Sequence, residues 1–262
     1  MGKVFLVGAG PGDPELLTVK ALRVLDCADV VLHDSLVSAE ILQLVPGGAQ
    51  LIDVGKRAGL KLLTQDEINS LLVDYAKRSK SVVRLKGGDP SLFGRASEEI
   101  EALRRENIPF EIVPGISAAF GAASAAGFSL TDRRAASQVL LTTFSRGTSV
   151  KSLGWREVTA DTTLAIYMPG TDYAEVASRL LDAGLDPELP CAVISHATRA
   201  EQQIVWSSIA ALFDEPKLPA PALLIVGKVA TQDVRQISEK ANARAFDSRN
   251  DFEVVPQSWV KN

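Results

Sequence analysis

Two glycine-rich segments of the chain have the composition of ligand-binding loops. Gly8–Asp13 reads Gly-Ala-Gly-Pro-Gly-Asp, and Lys86–Pro90 reads Lys-Gly-Gly-Asp-Pro. Closely spaced glycines leave backbone N–H and C=O groups open, so that a ligand can approach the main chain. The first segment departs from the dinucleotide fingerprint, because its third glycine comes one position early and Pro11 lacks the N–H that a pyrophosphate would use. The two loops therefore predict a ligand site that is not built for paired phosphates.

A carboxylate and an ammonium group follow two other apolar segments. Asp34 lies in the segment His33–Ser38, and Lys56 lies in Val54–Gly59. A carboxylate and an ammonium group at the edge of a cleft can accept and donate a proton. Because both segments follow predicted strands, we expect these side chains at the same sheet edge as the glycine loops. The spacing alone also fits a surface ion pair, and that alternative stays open.

The elements that position these loops alternate between strand and helix. A capping box, Thr64 with Glu67 three residues later, predicts the start of one of the helices. Further helices are predicted at Glu15–Ala28, Ile41–Val45 and Ala96–Asn107. The apolar runs between helices predict five strands, Lys3–Val7, Asp29–Leu32, Gln50–Val54, Ser81–Leu85 and Phe110–Val113. Apolar strands separated by helices predict a parallel sheet of the α/β class.

A second unit follows the break at Val113-Pro114-Gly115. Residues 116–127 are rich in alanine, serine and glycine, whose small side chains let a helix approach a neighbour closely. Strands are predicted at Val139–Thr143, Thr163–Met168, Cys191–Ser195, Gln203–Trp206 and Ala222–Val226, with helices at Tyr173–Ala183 and Ser207–Phe213. We therefore predict two α/β domains, residues 1–113 and 116–240, with a ligand cleft between them. Residues 241–262 are predicted to be a polar tail.

Composition excludes several classes of function. The 262 residues are 46% hydrophobic, which suffices for a sizeable core. A net charge of -4 without a basic block argues against general nucleic-acid binding. No apolar run approaches the roughly 18 residues of a membrane helix, and the first residues lack the features of a signal peptide. We therefore expect a cytoplasmic protein that binds no membrane.

Histidine and cysteine are scarce. The chain has two histidines, no Gly-x-Ser-x-Gly segment and no cysteine spacing of the zinc-binding kind, so we expect neither a Ser-His-Asp triad nor a metal site. Cys27 and Cys191 each lie among apolar neighbours. Both are predicted to be small core residues rather than partners in a disulfide.

Five segments, in register, resemble the tetrapyrrole methylases. They are Gly8–Pro14, His33–Ser38, Gly55–Gly59, Lys86–Pro90 and Val113–Ser117, and the resemblance extends from residue 3 to about residue 235. It implies two α/β domains with S-adenosylmethionine between them, S-adenosylhomocysteine as its product, and a homodimer. It further implies methylation of uroporphyrinogen III to precorrin-2, through precorrin-1, for siroheme or cobalamin. The chain shows no resemblance to the dehydrogenase–ferrochelatase module that some siroheme synthases carry.

The resemblance also implies roles for individual residues. Asp34 matches the family's proposed proton acceptor, and Lys56 matches its proposed proton donor. The cofactor would contact Pro11, Gly87, Gly88, Asp89, Leu92, Ser117, Ala118, Met168 and Ala197. The tetrapyrrole carries carboxylates, which arginine binds well. Five arginines are therefore predicted to contact the substrate, namely Arg57, Arg84, Arg95, Arg133 and Arg134.

The second unit departs from the family pattern in several places. Leu130–Ala136 reads Leu-Thr-Asp-Arg-Arg-Ala-Ala where the family usually has Leu-Thr-His-Arg-Asp-Tyr-Ala, and Thr143-Phe144-Ser145 replaces Thr-Gly-His. Ala197 replaces a glycine. These departures leave open a related precorrin methylase with another acceptor. A non-catalytic protein that binds S-adenosylmethionine or a tetrapyrrole is also possible, although Asp34 and Lys56 favour an enzyme.

Overall fold

The computed structural model describes residues 2–55, 63–144, 158–159, 161–170 and 172–231, which form two five-stranded sheets with helices packed on them. The N-terminal sheet is entirely parallel, with the strand order β3-β2-β4-β1-β5. Its strands are β1 Lys3–Gly8, β2 Val30–His33, β3 Gln50–Asp53, β4 Ser81–Lys86 and β5 Phe110–Val113. Its helices are α1 Val19–Asp26, α2 Ala39–Leu42, α3 Gln65–Arg78 and α4 Ala96–Arg105. The predicted parallel α/β sheet is confirmed.

Side-chain caps determine where two of these helices begin. Thr64 and Glu67 form the predicted capping box at the start of α3. In contrast, the predicted helix from residue 15 to residue 28 is wrong in its first turn. A short 3₁₀ turn, Pro14–Leu16, comes first, and α1 starts anew where the Thr18 hydroxyl accepts a hydrogen bond from the N–H of Ala21.

The C-terminal sheet has the strand order β6-β7-β10-β8-β9. Its strands are β6 Gln138–Thr143, β7 Thr162–Tyr167, β8 Pro190–Ser195, β9 Gln203–Ser208 and β10 Ala222–Val226, and its helices are α5 Ala118–Ala125 and α6 Tyr173–Asp182. β6 and β7 are parallel, whereas β10 and β9 run antiparallel to their neighbours. The sheet is therefore mixed.

The helix predicted at Ser207–Phe213 is wrong. Strand β9 continues to Ser208, which pairs with Pro190, and a 3₁₀ turn at Ala211–Phe213 follows it. Ladder pairing along the whole of β8 outweighs the local helical pattern, because each residue of the edge strand gains partners from its neighbour.

The small-residue helix α5 belongs to the core of the C-terminal sheet. Ala119 and Ala122 are fully buried and pack with Ala165 and Ile225. β5 ends at Val113 and α5 begins at Ala118, so the predicted boundary falls between the two sheets and stays a prediction. The predicted tail, residues 241–262, lies outside the described residues.

Only one of the two cysteines is a core residue. Cys191 is buried in β8, and this burial raises the pKa of its thiol to about 12. Cys27 is exposed at the end of α1, so its predicted core position is wrong. Among the described residues, no helix has the length and apolar character that crossing a membrane requires.

Candidate active site

The loops singled out from the sequence lie along one edge of the N-terminal sheet, where its parallel strands end. We call it the carboxyl edge. Strand β4 lies between β2 and β1, and β5 lies beside β1. The Asp34 loop follows β2, so it stands next to the Lys86–Pro90 loop, which in turn stands next to Gly8–Asp13. The predicted common edge of Asp34 and the glycine loops is confirmed, whereas Lys56 and Arg57 lie outside the described residues.

Backbone contacts between glycines join three of these loops. The N–H of Gly10 donates to the carbonyl of Gly88 (3.1 Å), and the N–H of Gly88 donates to that of Gly10 (2.7 Å). A Cβ atom on Gly8 would lie 2.6 Å from the nitrogen of Gly115 and 2.6 Å from the carbonyl oxygen of Gly88. Any larger residue at Gly8 would therefore push the three loops apart.

Asp89 ties the loop after β4 to the loop after β5. Its Oδ2 accepts a hydrogen bond from the N–H of Gly115 (3.1 Å), and its Oδ1 accepts one from the N–H of Ser91 (2.8 Å). The N–H of Leu92 donates to the carbonyl of Asp89 (3.3 Å). The turn that carries the predicted cofactor contacts Gly87, Gly88, Asp89 and Leu92 is thus held in a fixed shape.

Tyr167, at the end of β7, connects this edge to the C-terminal sheet. Its hydroxyl group hydrogen-bonds the hydroxyl of Ser117 and accepts from the N–H of Ala119 (3.1 Å). Its ring lies 5.0 Å from the ring of Phe93, centroid to centroid. Burial raises the pKa of Tyr167, so the phenol stays protonated and caps α5. Tyr167 was not among the predicted site residues, because its only signal in the sequence was its place before Met168.

The turn after β8 forms a second connection between the sheets. The N–H of Asp13 donates to the hydroxyl of Thr198 (3.2 Å), and the guanidinium of Arg199 donates to the carbonyl of Leu36 (2.5 Å). The Arg199 side chain lies so close to Gly12 that a Cβ there would be 2.6 Å from its Cγ. Arg199 therefore contacts both the first glycine loop and the Asp34 loop, a role that its position in the sequence did not indicate.

The structure thus gathers the segments that carry the nine predicted cofactor contacts. Pro11 packs toward Gly121 of α5, where a Cβ would lie 2.6 Å from its Cγ. Ser117 and Ala118 begin α5 beside Gly88, whose added Cβ would lie 3.7 Å from the nitrogen of Ala118. Met168 directly follows β7, and Ala197 is the second residue after β8.

A cluster of four charged side chains lies at the part of the carboxyl edge that carries Asp34. We call Asp34, Arg84, Lys86 and Glu99 the charge cluster. The guanidinium of Arg84 bonds Asp34 Oδ1 (2.5 Å) and Glu99 Oε1 (2.8 Å), and Lys86 Nζ bonds Glu99 Oε1 (3.0 Å). Arg84 is 2% exposed and Glu99 is fully buried, whereas the Asp34 side chain is 27% exposed. Asp34 is therefore the member of the cluster that opens to the cleft.

Strand alternation explains how two cations come to be buried together. Arg84 and Lys86 are two residues apart on β4 and share a face with Val82, which packs in the core under α3 and α4. Helix α4 supplies Glu99 to this face. Glu99 was not among the predicted site residues. The two cations in the mostly apolar segment Ser81–Lys86 nevertheless indicated a buried anionic partner, since buried cations require one.

The cluster changes how readily its cations give up their protons. Burial opposes the charge on Arg84, but Asp34 and Glu99 outweigh it and raise the pKa of the guanidinium. Burial and the neighbouring charge of Arg84 lower the pKa of Lys86, and Glu99 and Asp34 counteract part of this effect. Lys86 is thus a buried ammonium whose charge depends on its two anionic neighbours.

Four of the five arginines predicted to contact the substrate lie among the described residues. Arg84 does not fit that prediction, because its guanidinium is buried and already paired with Asp34 and Glu99. Arg95 is exposed and paired with Glu98 (2.7 Å), and Arg134 is exposed and paired with Asp132 (2.7 Å). Arg133 is also exposed. For these three the substrate contact stays a prediction.

The chain is similar to known proteins over most of its length. Residues 3–212 match the profile of the family described as Tetrapyrrole (Corrin/Porphyrin) Methylases. The chain is 46% identical over 235 residues to a uroporphyrinogen-III C-methyltransferase of Paracoccus denitrificans, covering 88% of this chain and 82% of that protein. It is 48% identical over 230 residues to Siroheme synthase 1 of Yersinia enterocolitica, covering 87% of this chain but 49% of that protein. The chain thus spans about half the length of the siroheme synthases that it matches.

A solved structure shares the fold over most of its length. It is the uroporphyrin-III C-methyl transferase of Thermus thermophilus in complex with S-adenyl homocysteine, with 36% identity and a TM-score of 0.75. The alignment covers 87% of this chain and 93% of that one. Both the sequence match and the shared fold lead to one conclusion: the chain belongs to the tetrapyrrole methylase family.

Proposed function

We propose that this protein is an S-adenosylmethionine-dependent C-methyltransferase that converts uroporphyrinogen III to precorrin-2 by way of precorrin-1. The observation that carries the proposal is the arrangement of the carboxyl edge. The glycine loops and a partly exposed carboxylate, Asp34, stand side by side, and Thr198, after β8, contacts the first of these loops. Relatives named as uroporphyrinogen-III methyltransferases support the choice of acceptor.

The glycine half of the edge fits the cofactor. Its open groups are backbone N–H and C=O dipoles, and Gly88, at a φ of 68°, leaves the space in front of Ala118 free of a side chain. Such a surface suits a sulfonium cation better than a cationic wall would. When bound, S-adenosylmethionine supplies an electrophilic methyl group. The nine residues predicted for cofactor contact would hold it across the cleft.

The charged half of the edge fits the proton transfer. Attack of a substituted ring carbon on the methyl group leaves a cationic tetrapyrrole, which must lose a proton from another position, and Asp34 presents a carboxylate at the cleft to accept it. Arg84 fixes the orientation of that carboxylate from below, through the 2.5 Å contact with Oδ1. Lys56 remains our candidate for the proton donor, and Arg57, Arg95, Arg133 and Arg134 for contacts with the carboxylates of the substrate.

The mass of the product tests the proposal. Purified protein is incubated anaerobically with S-adenosylmethionine and uroporphyrinogen III, and the products are analysed by mass spectrometry. We expect the acceptor to gain two methyl groups, with a one-methyl intermediate at early times. An unchanged acceptor, under conditions in which calorimetry shows that the cofactor binds, would favour a non-catalytic binding protein.

A related precorrin methylase is the second candidate. The segment that departs from the family pattern is observed here as a turn in which Arg134 pairs with Asp132 rather than standing free. This pairing removes one cation from those open to a substrate carboxylate. Methylation of a later precorrin, with none of uroporphyrinogen III, would decide for this candidate.

We further propose that the protein is a cytoplasmic homodimer that serves siroheme or cobalamin synthesis. The family resemblance is the support for the dimer, and light scattering on the purified protein measures it directly. Complementation of strains that lack either siroheme or cobalamin synthesis distinguishes the two pathways. Fractionation of cells that produce the protein tests its location.

A further inference from the structure

Glu99 and Lys86 are buried charges to which the proposed reaction gives no role. Glu99 is fully buried, and its Oε1 receives three donors, from Arg84 (2.8 Å), Lys86 (3.0 Å) and Gln65 (3.4 Å). Its Oε2 is buried and has no hydrogen-bond partner among the residues that the structure describes. Placing charges in such surroundings costs free energy, and well-packed apolar residues often fold equally well. The arrangement therefore calls for an explanation beyond stability.

The two cations that Glu99 holds are directed at different oxygens of one carboxylate. Arg84 lies 2.5 Å from Asp34 Oδ1, and Lys86 Nζ lies 3.9 Å from Asp34 Oδ2. Two cations and two anions make the charge cluster neutral as a whole. Without Glu99, two buried cations would face Asp34 alone.

We infer that Glu99 is a positioning residue for the proposed methyl transfer, one that holds Arg84 and Lys86 so that they orient the Asp34 carboxylate and balance its charge. The inference rests on the proposed function, because Asp34 must be the proton acceptor for its orientation to matter. Glu99 acts through the two cations and touches neither substrate nor cofactor. Lys86 is the partner of Glu99 in this role, because the positive charge of Lys86 balances the negative charge of Glu99.

Substituting Glu99→Gln removes one charge at nearly constant shape. We expect kcat to fall roughly tenfold to a hundredfold, as small misplacements of catalytic groups do. The affinity for S-adenosylhomocysteine, measured by calorimetry, should stay unchanged, because the bonds that join the glycine loops involve backbone groups and Asp89 but no atom of Glu99. Glu101→Gln is the matched control, since Glu101 lies on the same helix and is exposed. An unchanged kcat in Glu99→Gln, or an equal loss of cofactor affinity, overturns the inference.

A double variant separates charge balance from packing. Glu99→Gln combined with Lys86→Met removes one anion and one cation, so the remaining pair, Asp34 and Arg84, is again neutral. We expect the double variant to be more active than Glu99→Gln alone, which is a coupling between neighbouring sites. If Glu99 served only to fill space, the second substitution would lower the activity further, and the inference would be wrong.

The titration of Lys86 gives a readout that needs no turnover. Asp34, Arg84 and Glu99 face this ammonium group, and Lys86 also acts on Glu98 across the start of α4. Because Glu99 raises the pKa of Lys86, its loss should move the titration to lower pH. NMR of the lysine Cε signal, assigned with Lys86→Met, measures the midpoint, and an unchanged midpoint in Glu99→Gln contradicts the inference.

Failure of the function and failure of the inference give different results. If the wild-type protein forms no methylated product, both fall together. If the wild type is active and Glu99→Gln is equally active, the inference alone falls. The glutamine variant must also be shown to fold, for which the denaturant midpoint of unfolding is compared with that of Glu101→Gln.

Discussion

The carboxyl edge of the N-terminal sheet has two halves with opposite chemistry. Backbone groups of Gly10, Gly88 and Gly115 join the loops after β1, β4 and β5. These three glycines place no charged side chain in the cleft. The loop after β2 carries Asp34 above the buried charge cluster. On the proposed function, one sheet would bind a cofactor through the shape of its loops at one end and transfer a proton through charged side chains at the other.

The strand order produces this division. Because β4 is inserted between β2 and β1, the first glycine loop stands beside the second rather than beside Asp34. The glycine half consists mainly of fixed peptide dipoles, and the Asp89 carboxylate holds its loops together. The charged half should be the part of the site that governs turnover.

The largest expected effect comes from the charged half. Asp34→Asn should lower kcat by about 10²- to 10⁴-fold, the usual contribution of a general base, while S-adenosylhomocysteine binds as before. Equal losses of cofactor affinity and of kcat in Asp34→Asn would contradict the division of the carboxyl edge into a half that binds the cofactor and a half that transfers the proton. Asp26→Asn, on the exposed end of α1, serves as the control. Unfolding in denaturant is measured alongside, because Arg84 loses one of its two anionic partners.

The glycine half should fail in a different way. Gly8→Ala would place a Cβ 2.6 Å from the carbonyl oxygen of Gly88, and we expect a loss of about 3 kcal/mol in the free energy of unfolding together with weaker cofactor binding. At Gly48 a Cβ would meet no atom within 4 Å, so Gly48→Ala should change stability by less than about 1 kcal/mol. Equal stability of the two variants, measured by denaturant unfolding, would show that the loops are less tightly joined than described.

A smaller effect is expected where the C-terminal sheet supports the glycine half. Tyr167→Phe removes the hydroxyl that caps α5, and should lower the free energy of unfolding by about 1 kcal/mol. The matched substitution is Tyr75→Phe, whose hydroxyl accepts a 3.3 Å bond from Gln50 at the surface. Calorimetric titration with S-adenosylhomocysteine should show weaker binding for Tyr167→Phe alone, and identical affinities would count against its role at the cleft.

The smallest effect should come from Arg199, one of the contacts between the two halves, beside the hydrogen bond from Ser38 Oγ to the carbonyl of Gly12 (2.6 Å). Arg199→Ala removes a hydrogen bond to Leu36 and the side chain over Gly12, and should destabilise the protein by about 1 kcal/mol or less. Hydrogen exchange should quicken at the amides of residues 35–38, and Arg105→Ala, at the exposed end of α4, should leave them unchanged. If exchange there is the same in both variants, the halves are not coupled through Arg199.

Local signals predicted much of the fold. The Thr64 capping box, the apolar strands and the glycine loops were correct because their causes lie within a few residues of one another. Two of the errors arose where distant partners decide. The helix predicted at Ser207–Phe213 is wrong because its first two residues belong to β9, which pairs with β8, and Cys27 is exposed although its neighbours in sequence are apolar.

The same division holds for the candidate site. The order of residues establishes which loops carry the glycines and Asp34, and the resemblance of its motifs indicates the family, because backbone freedom and residue type are local properties. The packing of the folded chain is what buries Arg84 under Asp34, completes the charge balance with Glu99 and Lys86, and places Tyr167 as the cap of α5. The physical reason is that a buried charge must find its partner across strands and helices far apart in the chain, and strand order determines which partners meet.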